Sequence, residues 1–306
     1  MLAVNGMPPT ASHSPFNATM HAMRPALFLA LLALLTLALL STPTSDFRFV
    51  ILGDRTGETV PGVYPQIWRE LSQEHPAFVV TVGDTIQGAV DARAPAEWRE
   101  VDRILAPYRA IPLYLTPGNH DIWSPASERL YCRHAAHPPH YSFDYGPAHF
   151  TILDNSRTDD LPAAELSFLE SDLEAHAPAP LKFVFMHRPS WLFSVALRSP
   201  GFPLHRLARR YGVRYVIAGH IHQMLRFDLE GITYLSMPSA GGHLRASRLY
   251  TDGWFFAHSL VTVTANAVSS FEIHEARPPN GQGRVTSLVD WGMLGLAPQP
   301  HAVAPR

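Results

Sequence analysis

Short apolar runs recur along this chain, and five of them end at a residue that offers a side-chain oxygen or nitrogen. Residues 47–52 and 78–82 are such runs, and a helix-compatible stretch at 63–74 separates them. This alternation predicts parallel strands with right-handed crossovers. In open α/β sheets, functional residues gather outside the carboxyl ends of the strands. The five residues are therefore expected to converge: Asp54, Asp84, Asn119, His187 and His220.

The later part of the chain is predicted to add hairpins to this parallel core. Residues 141–145 and 149–153 flank Gly146-Pro147 and read as one hairpin. From 276 onward the sequence is rich in Gly and Pro and weakly patterned. We predict one domain over 46–275 and a C-terminal tail over 276–306. Further strands are expected at 113–116, 181–186, 215–218, 224–228, 232–236, 255–263 and 268–273, and helices at 95–105, 163–174 and 204–211.

The composition narrows the classes of partner and of metal site. A formal net charge of −2 gives no basic field, so nucleic acid is not an expected partner. Cys132 is the single cysteine, which excludes an intrachain disulfide and a Cys-rich zinc site. Any metal must be held by His, carboxylate or amide groups.

Residues 1–45 form an N-terminal extension that contains an unbroken apolar run at 26–40. Arg24 precedes this run and small polar residues follow it, as in a secretory signal peptide. The run is short for a bilayer span, which needs about 20 apolar residues. It also lacks a clear small-x-small cleavage site, so an uncleaved membrane anchor stays open. Both interpretations predict an exported protein, periplasmic or extracellular.

The residue types at the strand ends predict a metal centre. Two Asp, one Asn and three His, the third being His222, suit Mn, Fe, Zn or Co rather than Mg alone. One carboxylate can bridge two cations about 3.5–4 Å apart. His120 follows the ligand Asn119 and is placed to protonate a leaving oxygen, with Asp121 as the group that orients it.

These blocks, in this order, resemble the signature of calcineurin-like metallophosphoesterases. The resemblance covers about 46–240 and implies a four-layer α/β/β/α sandwich with two mixed β-sheets. The blocks are Gly53-Asp54, Gly83-Asp84, Gly118-Asn119-His120-Asp121, His187 and Gly219-His220-Ile221-His222.

The resemblance also implies a division of labour at two metal ions. Asp84 bridges both ions, and Asn119, His187 and His220 complete one subsite. Asp54 and His222 belong to the other. A metal-bridging hydroxide is then the nucleophile and His120 the general acid. The implied substrates are phosphorylated small molecules or lipid head groups, with monoesters and diesters both open.

The chain departs from the family pattern in its first block. Asp54-Arg55-Thr56 stands where Asp-x-His is usual, so one histidine ligand is missing. Gln87 occupies the position at which purple acid phosphatases carry a tyrosine ligand. We predict weaker metal binding at this subsite and a preference for a harder ion such as Mn, with water, Thr56 or Gln87 in the gap. The departure keeps an alternative open: a catalytically degenerate scaffold that binds a partner protein.

Arg55 either clamps the substrate phosphate or forms a salt bridge. Six other residues are candidates to line the substrate cleft, although the simpler interpretation is that they are surface or packing residues. They are His134, His137, His140, Arg188, Trp191 and His243. No Walker A loop or dinucleotide fingerprint is present.

Overall fold

The computed structural model describes residues 46–276 and 283–291. The predicted signal or anchor at 26–40 lies outside the described residues, as do 292–306 of the tail. Among the helices of the described ranges, none has the length and apolarity needed to cross a membrane.

Twelve strands and six α-helices make up the regular structure of the described residues. The strands are β1 Phe47–Leu52, β2 Phe78–Thr81, β3 Leu113–Tyr114, β4 Tyr141–Tyr145, β5 Ala148–Ile152, β6 Leu181–Phe185, β7 Tyr215–Ala218, β8 Leu225–Leu229, β9 Ile232–Ser236, β10 Ala257–Thr264, β11 Ala267–Glu275 and β12 Val285–Ser287. The helices are α1 Val63–Ser72, α2 Ala94–Leu105, α3 Pro125–Ala135, α4 Ala163–Ala175, α5 Leu192–Ala196 and α6 Pro203–Arg210.

The strands form two six-stranded sheets, and both are mixed. The first has the order β12-β11-β10-β1-β2-β3, in which β1, β2 and β3 run parallel and β10 pairs antiparallel with β1. The second has the order β4-β5-β6-β7-β9-β8, with β5, β6, β7 and β9 parallel. Two mixed sheets with helices beside them confirm the predicted fold class.

Aromatic side chains fill the space between the sheets. Phe49 of the first sheet meets Phe150 and Phe183 of the second edge-to-face, with centroids 5.2 and 5.4 Å apart. Such pairs favour close sheet-to-sheet packing because the edge of one ring attracts the face of another. Separate buried clusters join the helices to the outer sheet faces, for example Trp68 of α1 against Leu52 of β1. The result is a four-layer arrangement.

Helices α3 and α5 and strand β12 lie where the sequence predicts no element. Helix α3 buries few apolar side chains, so its periodicity is weak, and Ser124 caps it by accepting from the Ser127 amide. Strand β12 extends the first sheet, and Trp291 after it is fully buried. Residues 283–291 therefore pack on the domain, although their sequence pattern assigns them to the tail. An edge strand held by backbone hydrogen bonds leaves little apolar signal.

Candidate metal centre

Four side chains converge at the carboxyl ends of the parallel strands. Nε2 of His187 lies 2.9 Å from Oδ1 of Asn119, 3.3 Å from Oδ2 of Asp84 and 3.1 Å from Nδ1 of His220. The ligand atoms of Asp84, His187 and His220 all lie within 4.8 Å of one another. Close apposition of lone-pair donors is stabilised when a cation sits between them.

The outer nitrogens of two histidines fix which nitrogen faces this centre. Nδ1 of His187 lies 2.8 Å from the carbonyl of Val82, and Nδ1 of His222 lies 2.7 Å from the carbonyl of His243. A carbonyl can only accept, so both Nδ1 atoms donate, and Nε2 is the nitrogen of each ring that faces the centre. Such backbone hydrogen bonds are the usual outer support of metal-binding imidazoles.

Asp54 and His222 form the adjoining part of the centre. Oδ2 of Asp54 lies 3.2 Å from Nε2 of His222, and both Asp54 oxygens accept from the amide of His220. Nε2 of His222 and Oδ2 of Asp84 are buried and have no hydrogen-bond partner among the described residues. Buried polar atoms without partners are costly, and bound cations explain both of them. The residues present therefore fit a metal centre.

The backbone at this centre is held in an unusual conformation. Asp84, His220 and His222 have φ values of 55°, 69° and 61°, in the left-handed region that non-glycine residues rarely occupy. Each such residue costs on the order of 1–3 kcal/mol and persists only where its surroundings enforce it. The Asp54 carboxylate enforces it at His220, and Asp84 Oδ1 accepts from the amide of His120 at 2.9 Å.

The charges of the ligand-free centre favour a carboxylate beside a positive imidazole. Burial raises the pKa of Asp84, but the charge of His187 lowers it well below its usual range. Burial lowers the pKa of His187, but Asp84 raises it to about 9. Burial and the neighbouring His187 charge lower the pKa of His220 to about 3. Nδ1 of His220 thus stays neutral and able to bind a cation.

His120 stands beside the ligands, and Asp121 does not orient it. Nδ1 of His120 lies 2.5 Å from the carbonyl of Gln87, so that carbonyl accepts its proton and sets the tautomer. Asp121 instead accepts from the amides of Gly118 at 2.9 Å and Thr85 at 2.8 Å. The expectation for Asp121 is corrected: because its carboxylate is buried between two backbone segments, it holds the loops that carry Asp84 and Asn119.

Comparison with known proteins places this arrangement in a family. The model of the calcineurin-like phosphoesterases matches residues 47–224, more than half of the chain. The chain belongs to the calcineurin-like phosphoesterase family. It is 30% identical over 200 residues to the 3′,5′-cyclic adenosine monophosphate phosphodiesterase CpdA of Escherichia coli K12, which covers 62% of this chain and 69% of CpdA. This family consists of metal-dependent phosphoesterases, as the sequence resemblance predicts.

Solved structures of low sequence identity share the fold. The purple acid phosphatase PPD1 of yellow lupin seeds matches with a TM-score of 0.60 and 17% identity, over 79% of this chain and 53% of that one. This chain thus spans about half the length of the lupin enzyme. GAP50, described as the anchor in the inner membrane complex of Plasmodium, matches with a TM-score of 0.57 and 15% identity, over 83% of this chain and 89% of GAP50. A dimetal phosphatase from Danio rerio matches with a TM-score of 0.51 and 16% identity, over 79% of this chain and 98% of the phosphatase.

The guanidinium of Arg55 forms its contacts away from the candidate metal centre. It donates to the Thr85 carbonyl at 3.0 Å and to the Glu100 carboxylate at 2.7 Å, and it lies 5.6 Å from the ring centre of Tyr64. Only 5% of Arg55 is exposed. The proposed phosphate clamp is therefore replaced by the alternative, a salt bridge, because the side chain extends between α1 and α2 rather than toward the ligands.

Thr56 and Gln87 bind each other at the position of the missing family histidine. The Thr56 hydroxyl donates to Oε1 of Gln87 at 2.5 Å, and the Glu58 amide donates to the same oxygen at 3.1 Å. Thr59 in turn donates to Thr56 at 3.1 Å. This network uses the oxygens that were candidates to replace the ligand, so the subsite of Asp54 and His222 has fewer protein donors than its neighbour.

The other histidine and cleft candidates have mostly structural partners. His134 stacks on Trp98 with centroids 4.6 Å apart, and His140 contacts Glu165 at 2.7 Å. Trp191 is fully buried against the second sheet. His137 lies against Tyr141, His243 contributes its carbonyl to His222, and Arg188 pairs with Asp159 at 2.5 Å.

Two contributors escape sequence reasoning. Oδ1 of Asn155 accepts from the amides of His187 and Arg188, so it positions the strand end that carries a ligand. The only feature of the sequence that could have indicated this role is the position of Asn155 after an apolar strand and next to Asp154. Arg245 is exposed, and its charge, with that of Arg188, contributes to lowering the pKa of His220. A lone exposed arginine carries no signal of this kind.

Proposed function

We propose that this chain hydrolyses phosphodiesters, with cyclic nucleotides as the substrate class, at a centre of two unequal metal ions. The observation that carries the proposal is the buried donor set, in which Nε2 of His222 and Oδ2 of Asp84 have no hydrogen-bond partner among the described residues. Similarity to CpdA supports a cyclic nucleotide as substrate.

The centre divides into a richer and a poorer subsite. Asn119, His187 and His220 would hold one ion together with Asp84, and Asp54 with His222 would hold the other. Bound ions of this kind activate water and neutralise charge that builds on the phosphate oxygens. Because Thr56 and Gln87 are bonded to each other, the poorer subsite is expected to lose its ion first and to accept Mn²⁺.

His120 is the residue that we assign to proton transfer. The Gln87 carbonyl holds the proton on Nδ1, so Nε2 is the nitrogen that gains and loses a proton. Its amide is bonded to Asp84, which ties the position of the ring to the ligand set. A general acid so placed contributes about 10²–10⁴-fold to the rate by protonating the leaving oxygen.

The charges of the nearby arginines support a substrate that carries a single negative charge. Arg55 is paired with Glu100 and Arg188 with Asp159, so these two cations are already compensated by carboxylates. A phosphodiester carries one negative charge where a monoester at neutral pH carries nearly two, and it needs less compensation. Arg245 is the exposed cation that we assign to steering this anion toward the centre.

The test compares esters on the full-length protein after removal and return of metals. Bis(4-nitrophenyl) phosphate, 4-nitrophenyl phosphate, 3′,5′-cyclic AMP and 5′-AMP are each assayed with Mn²⁺, Zn²⁺, Fe²⁺ or Mg²⁺. We expect the two diesters to be cleaved faster than the two monoesters. Asp84→Asn should abolish turnover and His120→Ala should lower it by about 10²–10⁴-fold. His134→Ala, which removes a histidine from the Trp98 stack, serves as the matched control.

The scaffold alternative makes the opposite prediction in the same assay. Its basis is the missing first-block histidine at Thr56. If neither class of ester showed metal-dependent turnover, the hydrolase proposal would be refuted and the scaffold favoured. Faster cleavage of the monoesters would refute the diester assignment while leaving the hydrolase in place.

A further inference from the structure

A second group of metal-binding side chains lies on the helix-covered face of the first sheet. Glu74 follows α1, while His258 on β10 and His274 on β11 are directly opposite each other in the register. On its other side β10 pairs with β1, where His258 lies opposite Leu52, and the side chain of Leu52 packs against α1. We call Glu74, His258 and His274 the second cluster.

The atoms of the second cluster point at one another. Oε1 of Glu74 lies 2.9 Å from Nε2 of His258 and 2.8 Å from Nδ1 of His274. One donor atom from each of the three residues lies within 4.8 Å of the others. Oε2 of Glu74 is buried without a hydrogen-bond partner among the described residues. The side chain of His258 is only 1% exposed, and those of the other two are below a fifth.

Glu272 supports this arrangement from behind. Nε2 of His274 lies 2.9 Å from Oε2 of Glu272, so this nitrogen donates to a carboxylate while Nδ1 faces the cluster. A carboxylate bonded to the far nitrogen of a metal-binding histidine orients the ring and increases its basicity. The second cluster thus has an outer support as well as three donors.

A cavity of about 460 Å³ opens onto the second cluster. Glu70 and Glu275 line it together with the three donors, which gives a negative surround suited to a divalent cation. The cavity also has room for water. Two histidines and one glutamate with water in a fourth position form a familiar open zinc site.

Another histidine–carboxylate group of the protein lacks these properties. His149 faces Asp144 with one nitrogen at 2.7 Å and Asp172 with the other at 2.9 Å. Ser142 and Thr151 also donate to Asp172. Both nitrogens of His149 are therefore committed to carboxylates, and a cation would have to displace a satisfied network. In the second cluster, by contrast, Oε2 of Glu74 is buried without a hydrogen-bond partner among the described residues, so its network is not fully satisfied.

We propose that Glu74, His258 and His274 bind a zinc-class divalent ion that links the end of α1 to β10 and β11. The carboxylate of Glu74 and one nitrogen of each histidine supply the protein donors, and water from the cavity completes the coordination. Binding displaces the proton shared by Glu74 and His274, so it releases a proton and strengthens as the pH rises. This site is separate from the proposed phosphoesterase function and does not depend on it.

The experiment counts zinc in full-length proteins dialysed against buffered Zn²⁺, by elemental analysis, with ester turnover measured in parallel. His274→Asn is expected to hold one zinc fewer per chain than the wild type, with unchanged turnover. Glu272→Gln keeps the three donors but loses their support, so its zinc affinity should fall about 10–100-fold. His176→Asn, which removes a histidine stacked on His149, is the matched control and should hold as much zinc as the wild type.

A second measurement separates this site from the metal centre at Asp84. In an Asp84→Asn background, Zn²⁺ should still raise the melting temperature, and adding His274→Asn should abolish that rise. Equal zinc contents of wild type and His274→Asn would overturn the proposal. So would a zinc-induced rise in melting temperature that survives His274→Asn. Either result would leave the phosphoesterase proposal untouched, because that proposal is tested by turnover and Asp84.

Discussion

Gly118→Ala offers a direct test of how the metal ligands are positioned. A Cβ atom added at Gly118 would lie 2.2 Å from both the amide nitrogen and Oδ1 of Asp84. Ordinary van der Waals contact begins at 3.4 Å, so the two segments must separate by about 1.2 Å. One of the atoms in the way is backbone, and a rotamer change cannot relieve it. The substitution is therefore expected to increase the distance between Asp84 and Asn119.

The displacement sets the size of the effect. A misplacement of about 1 Å in a catalytic constellation costs roughly 100-fold in rate, and overpacking a tight site costs about 1–3 kcal/mol of stability. We expect Gly118→Ala to lower kcat/KM for bis(4-nitrophenyl) phosphate by about 100-fold at saturating Mn²⁺. Urea unfolding of the metal-free protein measures the stability change.

The matched control is Gly201→Ala. No heavy atom of the described residues lies within 4 Å of a Cβ added at Gly201, and the φ of Gly201 is not in the left-handed region. This variant should keep the wild-type rate and stability. Wild-type turnover in Gly118→Ala, with its fold verified by circular dichroism, would refute the inference that the contact between Gly118 and Asp84 sets the ligand geometry.

Arg55→Ala is expected to lower the stability by about 1–3 kcal/mol, because Thr85 and Glu100 lose a buried donor, and to leave KM unchanged. Steady-state kinetics and urea unfolding check this, and a raised KM would reinstate the phosphate clamp. In the metal-free protein, the pKa of His187 is raised from 6.5 to about 9, so its contribution to stability is complete below pH 6.5 and is lost as the pH rises through 9. Chelated protein should lose at most about 3 kcal/mol over this interval in pH-dependent unfolding, and His187→Asn should lose much less. Trp291→Ala should cost about 3–5 kcal/mol, since this side chain is fully buried; an unchanged melting temperature would mean that residues 283–291 do not stabilise the domain.

Much of the fold can be predicted from short-range sequence patterns. β1 and β7 have the predicted bounds, since short apolar runs between turn residues have few alternatives. Helix α3 depends on a cap and on sparse contacts, and β12 depends on pairing with β11. These two elements are stabilised by partners distant or polar enough to leave no periodicity in the sequence.

The convergence of the candidate ligands also follows from sequence, because a parallel sheet brings its strand ends to one edge whatever lies between them. Asp54 and His222 are 3.2 Å apart although they are far apart in sequence. The roles of charged neighbours do not follow in this way. Asp121 and Arg55 stand beside ligands in the chain, yet backbone amides hold one and Glu100 holds the other.

The sequence by itself determined the strand-end donors, the family and the loss of a histidine at Thr56. Only the tertiary structure decided that Thr56 and Gln87 bind each other across that gap, and that the Gln87 carbonyl sets the tautomer of His120. It alone placed Glu74 beside His258 and His274. Sequence specifies which chemical groups are present at the end of each element. The direction in which each group points depends on packing between elements, which no local pattern encodes.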